Sequence, residues 1–265
     1  MTDETAKVAE HGSVGSGYSL LVLEAPRIAS EVRPGQFVHV RVPALEPTAL
    51  RRPFSVFDAE GGRVSILYKT VGRGTAALNR VAPGDAISVL GPLGHGFPAK
   101  CRGEALLVGG GFGVAPLYFL AKAFLAMPEG SPGRPSSVRL FAGGRTGSDL
   151  LALDRFAALG VEASLATNDG SVGEKGLVTA PLDEAVSALR GEGRAFELFA
   201  CGPDGMLRAV AERAVEAKAP GWISMDRHMV CGVGACYACI QKTVRGNSRC
   251  CIEGPVFRAE DLVWS

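Results

Sequence analysis

The chain has 265 residues, enough for two domains and a small appendage. Its 47% hydrophobic and 21% charged residues describe an ordinary globular protein with material for buried cores, not a disordered or fibrous one. A formal net charge of +1 excludes the electrostatic footprint of a nucleic-acid binder or of a protein held on an anionic membrane.

In chain order, the start MTDETAKVAEHG has neither the basic end nor the apolar run of a secretory signal, so a cytoplasmic protein is expected and disulfides are disfavoured. The first hundred residues then alternate short β-rich runs with Gly/Pro turns: YSLLVLEA, GQFVHVRV, PFSVFDA, RVSILYKTV and DAISVLGPLG, with one plausible helix at TAALNRVA. This spacing predicts an antiparallel β-barrel or sandwich.

Near residue 104 the pattern changes. The segments EALLVGGG, SVRLFAGG, EASLATND and AFELFACG predict strands, and APLYFLAKAFLA, SDLLALDRFAAL, APLDEAVSALR and DGMLRAVAERAVEA predict the helices between them. Strands alternating with helices argue for a doubly wound parallel sheet, with MPEGSPGRPSS as a loop inside it. The most apolar stretch lies here, at 105–127, but four glycines, Pro116 and Lys122 interrupt it and it does not read as a membrane span. After Pro220 and Gly221 comes a cysteine-rich tail too small to bury a core of its own. The expected division is 1–101 for the barrel, 102–221 for the parallel-sheet domain and 222–265 for the tail.

Five of the seven cysteines lie in the last forty residues. Cys231, Cys236 and Cys239 give C-x4-C-x2-C, followed by Cys250 and Cys251. That is the plant-type spacing of a 2Fe-2S cluster, in which a loop wraps the metal and a distant thiolate closes it. Gly232, Gly234 and Ala235 let backbone N–H groups approach the sulfurs. Structural zinc prefers two short ligand pairs, which this spacing matches poorly.

The sequence LVGGGFGVAPL runs a strand into a glycine loop and a helix, the arrangement that brings a dinucleotide pyrophosphate to a helix N-terminus. It lacks the third glycine of G-x-G-x-x-G, and a tight turn without a ligand is its bland reading. A second glycine turn, FACGPDGM, ends a later strand and is expected to share one crevice with the first. In the barrel, LRRPFSV sets Arg51, Arg52 and Ser55 in an apolar strand, and YKTVGRGTAALNRV places Gly72, Gly74 and Thr75 before a helix. An anionic phosphate would suit both; a carboxylate partner for Arg52 and a simple cap at Thr75 are the bland alternatives.

These motifs together resemble the ferredoxin reductase superfamily. Arg52-Pro53-Phe54-Ser55 is similar to its R-P-[YIF]-[ST] flavin signature, and GGGFGVAPL and CGPDGM to its nicotinamide-side motifs. Barrel, nucleotide domain and CGVGACYACI…CIEGPVF, with TNDGSVGEKGLVTAPL at 167–182, resemble the electron transfer subunits of class 1B, NAD-dependent dihydroorotate dehydrogenases. The resemblance implies that FAD is held by Arg52, Pro53, Phe54 and Ser55, by Leu67, Tyr68 and Lys69, and by Gly74 and Thr75. It places Gly110, Gly111, Gly113, Cys201 and Gly202 beside NAD. It makes Cys231, Cys236, Cys239 and Cys251 the cluster ligands, because family members follow the fourth cysteine with two residues and then G-P-V-F. Phe54 lacks the hydroxyl of the superfamily's frequent tyrosine, and Cys250 is an additional thiol.

The implied activity is an electron relay from an FMN-containing dihydroorotate-oxidising subunit through the 2Fe-2S cluster and FAD to NAD, for pyrimidine synthesis. The partner would form a heterotetramer of two copies of each chain, with no nucleic acid and no membrane involved. No catalytic acid, base or nucleophile is required of this chain, and its four histidines form no metal or triad pattern. Trp222, Met229, Tyr237 and Val256 are candidates either for the partner contact or for packing the tail onto the rest. Arg145 follows the second strand of the nucleotide domain, where an arginine can accommodate a 2'-phosphate. Rival readings are a related relay of a hydrogenase, sulfide dehydrogenase or bifurcating transhydrogenase, a free-standing flavin reductase, and a zinc-stapled binding module.

Overall fold

The computed structural model describes residues 1–42 and 50–264. The N-terminal part is one curled seven-stranded antiparallel sheet. Its elements are β1 (Thr2–Gly15), β2 (Tyr18–Glu24), β3 (Phe37–Val40), β4 (Arg52–Ser55), β5 (Asp58–Glu60), β6 (Arg63–Lys69) and β7 (Ala86–Leu93), in the order β4-β3-β7-β1-β2-β6-β5. Two short helices, α1 (Pro26–Glu31) and α2 (Arg73–Leu78), cover its ends. The barrel core is aliphatic, built from inward-facing residues such as Val8, Leu21, Val38, Val40, Ile66 and Val89.

Two of these elements, β1 and α1, go beyond the expected strands and helix. β1 is rich in charged residues, yet its alternation buries Glu4, Ala6 and Val8 on one face. The buried Glu4 carboxylate accepts the N–H groups of Arg27 and Ile28 at 3.3 and 3.1 Å and so caps α1, whose own Ala25 offers no capping side chain.

The second sheet also has seven strands, in the order β11-β10-β9-β8-β12-β13-β16. It contains β8 (Glu104–Gly110), β9 (Ser137–Gly144), β10 (Glu162–Thr167), β11 (Glu174–Lys175), β12 (Phe196–Cys201), β13 (Gly221–Ser224) and β16 (Val256–Arg258), all parallel except β16. Between them run α3 (Val114–Leu125), α4 (Leu153–Ala158), α5 (Thr179–Gly191) and α6 (Asp204–Ala217). β8 and β12 are buried nearly throughout, as fits strands covered on both faces. The chain winds from β8 outward to β11, then returns to the other side of β8 as β12. The carboxyl ends of β8 and β12 therefore form the topological switch point, where α/β sheets bind ligands.

Lys122 of α3 joins the two sheets by pairing with Asp58 at 2.9 Å and Glu60 at 2.6 Å. The tail forms a hairpin of β14 (Ile240–Thr243) and β15 (Gly246–Arg249) and then contributes β16 to the parallel sheet, antiparallel to β13. Cys239, Cys250 and Cys251 lie in one apolar core with Leu198 and Ile223 of that sheet and with Phe37 and Leu93 of the barrel. The tail obtains burial by sharing a core it is too short to build. No helix among the described residues is long and apolar enough to cross a membrane.

Candidate functional site

A cavity of about 770 Å³ opens at the switch point. Gly110, Gly111 and Gly113 at the end of β8, Gly143, Gly144 and Arg145 at the end of β9, and Cys201, Gly202 and Met206 from the end of β12 into α6 line it. The two glycine loops meet there because β8 and β12 are paired in register, Gly109 opposite Cys201. The barrel closes one wall with Tyr18 and Lys69, and Asp226 reaches the cavity from the C-terminal side. Burial pushes the Cys201 thiol up to about 12, with the nearby Asp226 adding to the effect, so Cys201 is a neutral thiol. Burial likewise raises Asp226 above the usual carboxylate range.

Across the mouth of the cavity, Lys69 Nζ donates to the Tyr18 hydroxyl at 3.1 Å, and that hydroxyl donates to Asp149 at 3.0 Å. Burial opposes the charge on Asp149, but Tyr18 and Lys69 outweigh it and hold the carboxyl below its ordinary value. Sequence reasoning finds Lys69 and misses Tyr18, Asp149 and Asp226. Tyr18 reads as one more strand residue and Asp149 as part of a helix start; only the fold makes them neighbours. Arg145 is 80% exposed at the rim, with Nε 3.9 Å from Asp149.

In the barrel, the two adjacent arginines have different surroundings. Arg51 is occupied by Asp3 at 2.9 Å and by the Ser88 hydroxyl at 2.7 Å. Arg52 has no carboxylate partner among the described residues; its Nη1 donates to the carbonyls of Leu50 and Arg51 at 2.6 and 3.4 Å. Its guanidinium stem lies over Gly74, where a Cβ would stand 2.8 Å from Nε. Gly74 is thus the residue that lets a cation approach the start of α2. The Thr75 hydroxyl accepts the N–H groups of Val71 and Gly72 at 2.9 and 3.2 Å, so it caps the helix and ties down the preceding loop.

Alternation on β6 separates the remaining barrel residues. Leu67 packs in the core beneath α3. Tyr68 faces the barrel interior, with its ring against Phe54 at 5.6 Å and its hydroxyl bonded to Asn79. Pro53 and Ser55 stand opposite His39 and Phe37 of β3, toward the tail. A half-buried arginine without a carboxylate, beside a glycine that leaves room above it, fits a phosphate-bearing flavin cofactor.

The tail thiols interact with one another: Cys231 with Cys236 and Cys251, and Cys239 with Cys251 and Cys250. Among the described residues, no three His, Cys, Asp or Glu side chains converge on a point suited to one metal ion. Four thiolates, two to each iron, are the donor set of a 2Fe-2S cluster, and the C-x4-C-x2-C spacing with a distant fourth cysteine suits it. Loop N–H groups reach the sulfurs as expected: Val233 N donates to Cys231 at 3.4 Å and Gly234 N to Cys251 at 3.2 Å. Burial would raise the Cys231 thiol, but N–H groups of Val233, Cys236 and Ala235 bring it down to about 7. Burial and Cys239 push Cys251 up to about 12. Cys250 is fully buried beside Asp226 and Arg227, and its own rise to about 12 has burial as the main cause.

Of the four candidate contact residues, Val256 is buried, Trp222 is half-buried and donates to Glu197 at 2.9 Å, and Met229 packs on the shared core. Tyr237 is 63% exposed, and Val230, Val233 and Ile252 are exposed beside it in the cysteine segment.

With this geometry in view, three family models match in tandem. They are an oxidoreductase FAD-binding domain at residues 5–97, an oxidoreductase NAD-binding domain at 107–212, and the iron-sulfur cluster binding domain of dihydroorotate dehydrogenase B at 226–263. A Bacillus caldolyticus protein named dihydroorotate dehydrogenase B (NAD(+)), electron transfer subunit, is 43% identical over 249 residues, 89% of this chain and 90% of its own length. A Clostridium acetobutylicum protein of the same name is 39% identical over 88% of this chain and 87% of its own length. Among solved structures, one titled for flavin-based electron bifurcation by an NADH-dependent reduced ferredoxin-NADP oxidoreductase superposes with a TM-score of 0.84. Its identity is 31%, and the match covers 98% of this chain and 90% of that one.

Proposed function

The chain belongs to the family of dihydroorotate dehydrogenase B electron transfer subunits, and from that premise we propose that it relays electrons from a dihydroorotate-oxidising, FMN-containing catalytic subunit to NAD in pyrimidine biosynthesis. It is a flavin and iron-sulfur oxidoreductase subunit of the ferredoxin reductase fold, with FAD-binding, NAD-binding and cluster-binding parts. The observation that carries the reading is the shared cavity. Tyr18 and Lys69 of the barrel, Gly110 and Cys201 of the parallel sheet and Asp226 of the tail face one space of about 770 Å³.

When bound, FAD would take electrons one at a time from a 2Fe-2S cluster and hand them as a hydride to the nicotinamide. The chain's own residues then bind and orient. Arg52 supplies the cation for the flavin pyrophosphate, with Pro53, Phe54, Ser55, Lys69, Gly74 and Thr75 around it and Leu67 and Tyr68, whose side chains are buried, offering backbone groups. Gly110, Gly111, Gly113, Cys201 and Gly202 present a Cβ-poor wall to the nicotinamide nucleotide. Cys201 stands in that wall as a neutral thiol, and burial raises Asp226 beside it above the usual carboxylate range.

Cys231, Cys236, Cys239 and Cys251 hold the cluster. The N–H that Cys251 receives from Gly234 of the thiolate loop supports its choice over Cys250. We retain 1–101, 102–221 and 222–265 as the functional division and place the protein in the cytoplasm, in a heterotetramer of two copies of each subunit. The exposed Tyr237, Val230, Val233 and Ile252 form the surface that meets the catalytic subunit.

The likeness to the bifurcating oxidoreductase supports a second reading, a relay in such an assembly. One experiment separates them. The purified chain passes electrons from NADH to an artificial acceptor and leaves dihydroorotate untouched; adding the dihydroorotate dehydrogenase catalytic subunit restores dihydroorotate-dependent NAD reduction. Dihydroorotate oxidation by this chain alone overturns the subunit reading, and failure of the catalytic subunit to couple favours the second.

A further inference from the structure

His39 is 0% exposed, and neither Nδ1 nor Nε2 has a hydrogen-bond partner among the described residues. A buried polar atom left unpaired is destabilising, so a histidine here where a leucine would pack needs an account. Arg51 does not supply one: its Nη1 approaches the carbonyl of His39 at 3.4 Å and its remaining contacts go to Asp3 and Ser88. Phe37, 5.7 Å away ring to ring, offers only an aromatic surface.

Strand alternation decides where the ring points. Val38 and Val40 enter the barrel core, whereas Phe37 packs in the core that holds Cys239, Cys250 and Cys251. His39 leaves β3 on that same side and meets Gly232, the residue after Cys231. A Cβ on Gly232 would stand 2.8 Å from Cε1, 2.9 Å from Nε2 and 3.0 Å from Nδ1. The imidazole therefore lays its face, at the end that carries both nitrogens, against the thiolate loop, and Gly232, at φ +71°, is the residue whose missing side chain admits it. Burial, and secondarily the charge of Arg51, push His39 down to about 4, so the ring is neutral and carries one N–H.

We propose that this N–H of His39 donates a hydrogen bond to a sulfur at the Cys231 and Cys236 end of the cluster, which makes His39 a positioning residue that sets the cluster's reduction potential from the flavin barrel. The inference rests on the reading of Cys231, Cys236, Cys239 and Cys251 as ligands. An N–H aimed at a cluster sulfur stabilises the added negative charge of the reduced state and raises the potential. Backbone donors already reach Cys231 and Cys251. His39 differs from them in belonging to another part of the fold, on the strand whose neighbour β4 carries Arg52 to Ser55, with His39 itself opposite Pro53.

The test uses the full chain loaded with FAD and cluster. Redox titration, following the reduced cluster by electron paramagnetic resonance and the flavin by absorbance, compares wild type with His39→Leu and His39→Gln. The Leu variant shifts the cluster midpoint to more negative potential and leaves the flavin midpoint in place; Gln, which keeps an N–H, restores most of the wild-type value. Pulsed resonance on wild type labelled with 15N-histidine shows a nitrogen coupling to the reduced cluster that both variants lose.

An unchanged cluster midpoint in the Leu variant, a shift confined to the flavin, or no histidine coupling in wild type overturns the proposal. The last of these needs no variant to fold. A normal cluster spectrum with no effect of His39 defeats this inference and spares the ligand reading; a loaded chain with no cluster spectrum defeats both.

Discussion

Tyr18 and Asp149 meet across the seam between the barrel and the parallel sheet, the tyrosine hydroxyl donating to the carboxylate at 3.0 Å. Lys69 completes the contact from the barrel side, 3.5 Å from the same oxygen. A hydrogen bond to a charged group is worth about 1.5 to 3 kcal/mol, and here Lys69 remains to compensate for its loss. Tyr18→Phe is expected to lower unfolding stability by about 1 to 2 kcal/mol, measured by denaturant titration of the flavin-loaded chain. A change below about 0.3 kcal/mol would show that the seam is held by Lys122 and apolar packing alone.

Arg52→Ala is expected to weaken FAD binding by about 10- to 100-fold, the loss of one charge-assisted contact of about 1.5 to 3 kcal/mol. The flavin-to-protein ratio after gel filtration reads it out. Arg51→Ala should leave that ratio unchanged, because Arg51 is committed to Asp3 and Ser88. Equal effects of the two variants would mean that Arg52 has no special place in the flavin site.

Replacing the two adjacent cysteines one at a time separates their roles. Cys251→Ser is expected to abolish the visible and electron paramagnetic signals of the cluster, whereas Cys250→Ser keeps them and costs about 1 kcal/mol of stability as a buried thiol becomes a poorly paired hydroxyl. The reverse pattern would transfer the fourth ligand to Cys250.

Val233→Glu puts a charge on the exposed apolar surface around the cysteine segment. The variant should bind the catalytic subunit at least about 10-fold more weakly, since an unpaired charge in a desolvated contact costs more than 1.4 kcal/mol. Calorimetric titration measures this, with NADH-to-dye activity held at the wild-type level as the control. Undiminished affinity would move the interface elsewhere.

Much of the architecture is legible in the sequence because period and punctuation agree. The segment DGMLRAVAERAVEA coincides with α6, and the switch from alternating strands to strand-helix repeats near residue 104 coincides with β8. β1 escapes because more than half its positions face water and its buried apolar signal is only Ala6 and Val8. α1 escapes because its cap comes from Glu4, more than twenty positions away, and no local pattern records it. The same limit applies to the site. Glycine loops and cysteine spacings are local and can be read. Tyr18 beside Asp149 and His39 beside Gly232 are meetings between distant segments, set by strand register and domain packing.

The pairing of β16 with β13 has a mechanical consequence. Ile223 lies opposite Phe257, and both share a core with Cys239, Cys250 and Cys251. The thiolate loop is therefore no arm on a flexible tether: to swing it away, the edge of the parallel sheet must come apart and its core must open to water. Such opening carries a free energy approaching that of unfolding the domain. The cysteine tail is thus anchored to the sheet at Cys239, Cys250 and Cys251 and moves with it as one body.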